Sequence, residues 1–177
     1  MEVKTIAIVD DEALHASFYC EAIKAVGYKT EFFKSPASLL TALRDGRRYS
    51  CYLCDLMMPP RGAYTSRESQ DGLLSGLLLS ESIRGFEEVS PIIIFSNINV
   101  EGVIDTVQSS LEDQMNIFFV KKADFPPTQL ADSLRGLIEE SLPIDERESL
   151  LRRLWSGVIL QPNFFGLGYD FKRPFSK

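Results

Sequence analysis

Four short apolar segments, spread over the first two thirds of the chain, each lead into polar or charged residues. The segments are residues 6–9, 52–54, 92–95 and 117–120. Each is rich in β-branched or aromatic residues and apolar at consecutive positions, a pattern typical of strands buried on both faces of a parallel sheet. Ligands of such sheets bind beyond the carboxyl ends of the strands. We therefore expect Asp10, Asp11, Asp55, Ser96 and Lys121 to converge at one edge.

Helical patterns alternate with these segments. The predicted strands cover residues 3–9, 29–33, a stretch ending at 55, 91–95 and 116–121; the predicted helices cover 12–26, 36–43, 72–84, 100–113 and 127–141. For the first helix we expect an apolar stripe of Leu14, Phe18, Ile23 and Val26. Ser35 before a proline is typical of a helix N-cap. The alternation predicts a doubly wound α/β fold with right-handed crossovers.

The order of the polar residues is itself distinctive. An acidic pair comes first, then Asp-x-Met-Met-Pro from Asp55, then the hydroxyl of Ser96, then Lys121. In this order and at these strand ends, residues 1–141 resemble the receiver domain of two-component response regulators. The resemblance implies a flavodoxin-like fold with a five-stranded parallel sheet in the order 2-1-3-4-5, followed by a C-terminal extension.

The resemblance also implies a magnesium site. Asp55 becomes the phosphoacceptor, and it binds Mg²⁺ together with Asp11 and the main-chain carbonyl of Met57. Asp10 acts on the cation directly or through water. A set of oxygen ligands that leaves several waters in place suits Mg²⁺. The alternative is that these carboxylates only cap or solvate strand ends, which does not explain why three of them share an edge with a lysine.

Three further roles follow from the resemblance. Lys121 pairs with Asp55 at rest and with the phosphoryl group afterwards, while Lys122 takes the position of a proline common in the family. Ser96 donates a hydrogen bond to the phosphoryl group. Phe118, three residues before Lys121, is either a switch side chain whose rotamer follows Ser96 or an ordinary core residue.

The implied function is that of a phosphoacceptor response regulator, without enzymatic activity beyond phosphoryl transfer to itself. Its phosphodonor is a histidine kinase or phosphotransfer protein, and its output is a changed protein-binding surface on the helix at 100–113, the last strand and the helix at 127–141. The alternative is a degenerate receiver that acts as a constitutive scaffold or adaptor. A metal-dependent phosphohydrolase is disfavoured because it needs an acid–base carboxylate where Met57 stands.

Two regions depart from the receiver pattern. About nine extra residues, roughly 60–70, precede Asp71-Gly72, and they form either a solvated surface loop or a partner-specific lid with Arg61 or Arg67 near the phosphoryl group. Residues 142–177 form an apolar, aromatic tail that is too short for a DNA-binding domain. We expect this tail to fold back on the receiver or to mediate self-association into a homodimer.

Composition excludes several other functions. The net charge of −6 argues against nucleic-acid binding, which needs a basic surface. No apolar run can span a membrane and no signal peptide is visible, so the expected compartment is the cytoplasm. Cys51 and Cys54, three apart in one strand, point to opposite faces and disfavour a zinc or redox pair. The single histidine, His15, is expected at the surface of the first helix.

Overall fold

A computed structural model describes residues 3–97, 107, 109–111 and 116–138. Five strands form one parallel sheet: β1 (Thr5–Val9), β2 (Lys29–Phe33), β3 (Cys51–Asp55), β4 (Ile92–Ser96) and β5 (Ile117–Lys121). Four helices have defined bounds: α1 (Ala13–Ala25), α2 (Pro36–Arg44), α3 (Ser75–Arg84) and α4 (Pro127–Ile138). The strand order is β2-β1-β3-β4-β5. The predicted doubly wound fold, with a five-stranded parallel sheet in the order 2-1-3-4-5, is confirmed.

Both faces of the sheet are buried. Neighbouring residues of a strand point to opposite faces, so each strand contributes to two cores. Ile8, Leu53 and Phe95 belong to the core that also contains side chains of α1 and α4. Val9 and Cys54 belong to the second core, with side chains of α2 and α3. This double burial explains why the strands are apolar at consecutive positions.

The first helix turns a different face to the protein from the one predicted. Leu14 and Phe18 are 71% and 53% exposed, whereas Ala16, Tyr19 and Ile23 are buried. The buried residues are spaced three and four apart and form one stripe, and the exposed pair lies outside it. The predicted stripe was wrong in these two positions because small Ala16 and amphipathic Tyr19 take the core side.

The start of α2 follows the prediction. Ser35 is its N-cap, with extended backbone dihedrals, and Pro36 occupies the first turn. The Ser35 hydroxyl accepts a hydrogen bond from the backbone N–H of Ser38 at 3.3 Å. This bond satisfies one of the amides that a helix leaves unpaired at its N-terminus.

Two predicted regions lie wholly or mostly outside the described residues. Of the helix predicted at 100–113, residues 107 and 109–111 are described, and they are helical. Val107 is fully buried in the α2–α3 core. The tail at 142–177 lies outside the described residues altogether. Within the described chain, no helix combines the length and apolarity needed to cross a bilayer.

Candidate functional site

Three carboxylates meet at the carboxyl edge of the sheet, as the sequence predicts. Asp10 and Asp11 follow β1, and Asp55 is the last residue of β3, the strand that pairs with β1. One carboxylate oxygen of each lies within 4.8 Å of the others, which makes the three a candidate cation site. Asp10 is 1% exposed and Asp55 6%, so two of the three carboxylates are buried.

A lysine is inserted between the two buried carboxylates. The Nζ atom of Lys122 lies 2.8 Å from Asp55 Oδ1 and 3.2 Å from Asp10 Oδ2. It also lies 4.4 Å from the ring centroid of Phe95, within the range of a cation–π contact. The other oxygen of Asp10 accepts a hydrogen bond from the backbone N–H of Glu12 at 2.8 Å. The two buried carboxylates of this pocket, Asp10 and Asp55, therefore share one cation, Lys122, and Asp10 also accepts a hydrogen bond from the N-terminus of α1.

The prediction that Lys121 pairs with Asp55 was wrong by one residue. Phe118 and Val120 lie in the α1–α4 core, whereas Ile117 and Phe119 lie in the α2–α3 core. By this alternation Lys122 shares the face of Asp55, and Lys121 faces the other way. Lys122 stays in register with the sheet because its N–H donates to the Ser96 carbonyl at 2.9 Å. In the described chain Lys121 makes no ion pair.

Sequence reasoning missed Lys122 because the segment before it is apolar at every position. A strand with one solvated face shows an alternation from which the facing side chains can be deduced, and a doubly buried strand does not. The available signal was indirect. A lysine that contacts Asp55 must lie on the same face of the sheet. Asp55 pairs with Phe95 and Phe95 with Val120, and these registers, which place Lys122 on that face, are known only from the folded sheet.

Burial is the largest single influence on the pKa values of both Asp55 and Lys122. It raises the pKa of Asp55 to about 6, although the charge of Lys122 and its hydrogen bond act in the opposite direction. For Lys122, burial lowers the pKa, but Asp55 and Asp10 together outweigh burial, so the net shift is upward. Lys122 is therefore charged at neutral pH. Asp55 is ionised above about pH 6.

Ser96 and Phe118 are both buried near the site. Ser96 is the last residue of β4, is fully buried and is in register with Lys121. Phe118 is 2% exposed and packs in the α1–α4 core. Lys122 is the lysine that contacts Asp55, and the residue three positions before it is Phe119, which shares the sheet face of Ser96. The switch roles of Ser96 and Phe118 stay predictions.

The backbone beyond Asp55 offers a further ligand. The predicted fourth ligand is the carbonyl of Met57, and in the described chain no hydrogen-bond donor reaches that carbonyl. The carbonyls on either side are both occupied: Gly76 N–H donates to Leu56 at 2.9 Å, and Ser75 Oγ donates to Met58 at 2.7 Å. A carbonyl that accepts from no donor in the described chain, between two anchored carbonyls and two residues after Asp55, is of the type that a hard cation with oxygen ligands takes.

The inserted residues 60–70 form an ordered turn that is anchored to α3. The Tyr64 hydroxyl lies 2.9 Å from Ser82 Oγ, and Tyr64 packs against the α2–α3 core. Thr65 and Glu68 bond to each other reciprocally: the Thr65 N–H and hydroxyl donate to Glu68 Oε2, and the Glu68 N–H donates to Thr65 Oγ1. These bonds are those of a capping box.

The arginines of the insertion are exposed side chains. Within the described residues, neither Arg61 nor Arg67 makes an ion pair or hydrogen bond with the three carboxylates. The structure therefore gives no support to the prediction that one of them lies near the phosphoryl position. The insertion is held by Tyr64 on α3 and by the buried Ser69, whose carbonyl accepts a hydrogen bond from the Leu74 N–H at 2.9 Å.

The remaining polar predictions agree with the structure. His15 lies at the surface of α1, with its Nδ1 2.6 Å from Glu12 Oε2. Cys51 and Cys54 are free thiols in the two different cores. Burial raises the pKa of Cys51 to about 12, so its thiol stays protonated. Neither cysteine is placed for a shared metal ion or a disulfide with the other.

Solved structures share this architecture. The receiver domain protein of Methanospirillum hungatei JF-1 matches with a TM-score of 0.58 at 15% identity, over 88% of this chain and 100% of the other. The isolated REC domain of RcsB from Salmonella enterica serovar Typhimurium, solved with phosphomimetic BeF3⁻, matches with a TM-score of 0.58 at 18% identity, over 84% and 99%. The chain has the receiver-domain fold.

The likeness does not extend over the full length of every matching structure. The receiver fold covers only part of some relatives: against the response regulator DrrB of Thermotoga maritima, an OmpR/PhoB homolog, the match has a TM-score of 0.55 at 18% identity and spans 76% of this chain but 52% of DrrB. No protein-family model matches the sequence, and a comparison with curated proteins found no match. At these identities the receiver likeness is one of fold.

Proposed function

We propose that this protein is a phosphoacceptor receiver, in which phosphorylation of Asp55 switches a protein-binding surface. One observation carries the proposal: Asp55 ends the central strand as a buried carboxylate, beside two further carboxylates and in contact with Lys122. An ion pair with a purely structural role would need only one carboxylate to balance Lys122, whereas three carboxylates lie together here. Here burial raises the pKa of Asp55 despite Lys122, so the ionised group is kept at a cost in stability. Such perturbed groups cluster at functional sites.

The reaction is a phosphoryl transfer between two nucleophiles. An oxygen of the ionised Asp55 attacks the phosphorus of a phosphohistidine and forms the O–P bond of an acyl phosphate. The N–P bond of the donor breaks, and its electron pair stays on the histidine nitrogen, which then takes a proton. Lys122 moves its charge from the carboxylate to the phosphoryl oxygens as negative charge builds there. Beyond this self-phosphorylation we propose no enzymatic activity.

Asp10, Asp11, Asp55 and the Met57 carbonyl would hold Mg²⁺. The cation supplies positive charge to the phosphoryl oxygens during transfer. The chain's own contribution is to keep these oxygen ligands together: Asp10 is oriented by the Glu12 N–H and Lys122, and Met57 lies between two anchored carbonyls.

The partner and the output follow from the same reading. We propose that a histidine kinase or phosphotransfer protein donates the phosphoryl group, as the receiver fold implies in general. The surface formed by β5, α4 and the segment at 100–113 would change on phosphorylation. Only a few kcal/mol of differential interaction between two conformers are needed for such a switch. Ser96 is the proposed hydroxyl of the switch. Its aromatic partner is Phe118 when counted from Lys121 and Phe119 when counted from Lys122, and Phe119 shares the sheet face of Ser96.

The test is intact-mass measurement after treatment with a small-molecule phosphodonor. Wild type, Asp55→Ala and Asp11→Asn are compared with and without Mg²⁺, and elution from a sizing column is followed in parallel. We expect wild type to gain one phosphoryl group only with Mg²⁺, Asp55→Ala to gain none, and Asp11→Asn to gain it far more slowly. A gain in Asp55→Ala equal to wild type would overturn the assignment of Asp55. A shift in elution on phosphorylation would support self-association as the output.

The hydrogen bonds within the insertion, and from it to α3, favour a second candidate function, that of a constitutive scaffold. Its capping box and its bond to Ser82 give residues 60–70 a defined surface without any ligand. A scaffold would bind its partner equally well with wild type and Asp55→Ala and would show neither phosphoryl uptake nor Mg²⁺ binding. A partner affinity that changes on phosphorylation excludes this candidate.

A further inference from the structure

The first turn of α3 rests directly on the backbone of the phosphoacceptor. A Cβ atom at Gly76 would lie 2.2 Å from the Asp55 carbonyl oxygen and 2.7 Å from the Leu56 Cα. Gly76 is therefore the residue that allows this close contact, and its N–H donates to the Leu56 carbonyl at 2.9 Å. The start of α3 and the end of β3 consequently have little freedom to move independently.

Ser75 makes the neighbouring contact. Its side chain is fully buried, and its Oγ donates to the Met58 carbonyl at 2.7 Å. The N–H of Met58 donates to the Gly72 carbonyl at 3.1 Å. Both polar groups of the Met58 backbone are therefore occupied. Leu56 is held in the same way by the Gly76 N–H and by the Phe95 carbonyl at 3.1 Å. Met57 therefore lies between two fixed residues and itself makes no hydrogen bond to the part of the chain that the structure describes.

The same bonds continue into the insertion. The Gly72 N–H donates to Ser69 Oγ at 3.1 Å, and the Ser69 hydroxyl donates to the Thr65 carbonyl at 3.0 Å. Ser69 is fully buried. A continuous set of hydrogen bonds thus connects Thr65, on the capping box, to Met58, next to the proposed metal-ligand carbonyl.

We propose that Ser75 is a positioning residue for the cation site, and that its buried hydroxyl holds the Met57 carbonyl in place through Met58. The ordered insertion is then a support for this segment and not a lid over the pocket. This inference rests on the proposed function, because it assumes that the three carboxylates bind a divalent cation. Hydrogen-bond partners of metal ligands orient those ligands in many proteins.

Cation selectivity distinguishes positioning from a general effect on folding. Mg²⁺ requires near-octahedral ligands at short distances, whereas Ca²⁺ accepts variable geometry and ligand number. Loosening one carbonyl should therefore weaken Mg²⁺ binding more than Ca²⁺ binding. A loss of overall packing would weaken both alike.

The experiment compares two buried serines of α3 in the full chain. Ser75→Ala removes the hydroxyl at Met58; Ser80→Ala removes an equally buried hydroxyl that donates to the Leu77 carbonyl within the helix at 2.7 Å. Mg²⁺ and Ca²⁺ affinities are measured by calorimetry, and urea unfolding checks that both variants are folded. We expect Ser75→Ala to bind Mg²⁺ about tenfold more weakly and Ca²⁺ less than about threefold more weakly. Ser80→Ala should match wild type for both.

Two results would overturn the inference. One is an unchanged ratio of Mg²⁺ to Ca²⁺ affinity in Ser75→Ala; the other is an equal loss in Ser80→Ala. Should Ser75→Ala not fold, Ser75→Cys keeps the size of the side chain with a weaker donor, and wild-type Mg²⁺ affinity in that variant has the same meaning. Failure of the wild type to bind Mg²⁺ would instead remove the proposed function itself, which separates the two hypotheses.

Discussion

The pocket and the insertion each contain a carboxylate with a shifted pKa, but the two pKa values are shifted in opposite directions. In the pocket, burial raises the pKa of Asp55 to about 6, so the charged form is disfavoured. In the insertion, hydrogen bonds from Thr65 lower the pKa of the exposed Glu68, so the charged form is favoured. The insertion carboxylate has its hydrogen-bond donors close by on Thr65, whereas the two buried carboxylates Asp10 and Asp55 share the single cation Lys122. A raised pKa of this kind is typical of functional sites, whereas a lowered pKa from local hydrogen bonds is typical of a structural acid.

The packing of the two regions differs as well. On the insertion side, the Tyr64 hydroxyl contacts the Ser82 hydroxyl of α3. On the pocket side, the backbone of α3 at Gly76 packs so closely on the Asp55 backbone that no side chain fits between them. Substitutions should therefore be severe at the pocket side of α3 and mild at the insertion side.

The largest effect is expected from Gly76→Ala. The new methyl group must displace the Asp55 backbone, and we expect a loss of about 3 kcal/mol in the free energy of unfolding, together with weaker Mg²⁺ binding. Gly85→Ala is the matched control, because a Cβ there meets only the Ser82 carbonyl at 3.3 Å. Urea unfolding of both variants provides the measurement. Equal stability of the two would contradict the close packing of α3 on Asp55.

Substitution of each of the two adjacent lysines tests which of them lies on the same face of the sheet as Asp55. Lys122→Met leaves Asp10 and Asp55 without their shared cation, and we expect a loss of about 2 kcal/mol at neutral pH. This is less than for a fully buried pair, since Asp55 can take up a proton instead. It should also nearly abolish phosphoryl uptake. Lys121→Met should change stability by less than about 0.5 kcal/mol. Loss of uptake in the Lys121 variant alone would restore the original assignment.

The pKa of Asp55 sets a pH dependence for cation binding. Below about pH 6 the carboxyl is protonated and must release its proton before it can bind Mg²⁺. Affinity should therefore fall as the pH is lowered through 6, by at most about tenfold per pH unit, and level off above it. Calorimetry over a pH series gives the profile. Asp55→Asn should bind more weakly and lose this component of the profile; a wild-type profile flat through pH 6 would contradict the assigned pKa.

The smallest effect is expected at the anchor of the insertion. Tyr64→Phe removes the bond to Ser82, and we expect a loss of about 1 kcal/mol with phosphoryl uptake intact. Ser82→Ala should cost a similar amount, and the double variant little more than either one, because both remove the same bond. Strictly additive losses would show that the two hydroxyls act independently.

Much of the fold could be predicted from the strands alone. The predicted segment at residues 29–33 coincides with β2, and the other strands agree within about two residues, which is the usual uncertainty at element ends. Convergence of Asp10, Asp11 and Asp55 followed from the parallel sheet. The stripe of α1 was less predictable, since Phe18 and Leu14 are as apolar as the residues that α1 buries.

By itself, the sequence determined which segments form strands, that they run parallel and that three carboxylates meet at one edge, because long apolar runs and strand ends are local properties. Only the tertiary structure decided which face each side chain occupies. Lys122, and not Lys121, contacts Asp55, because the pairing registers of β3, β4 and β5 place Lys122 and Asp55 on the same face of the sheet. In strands buried on both faces, no alternation of polar and apolar residues records that choice.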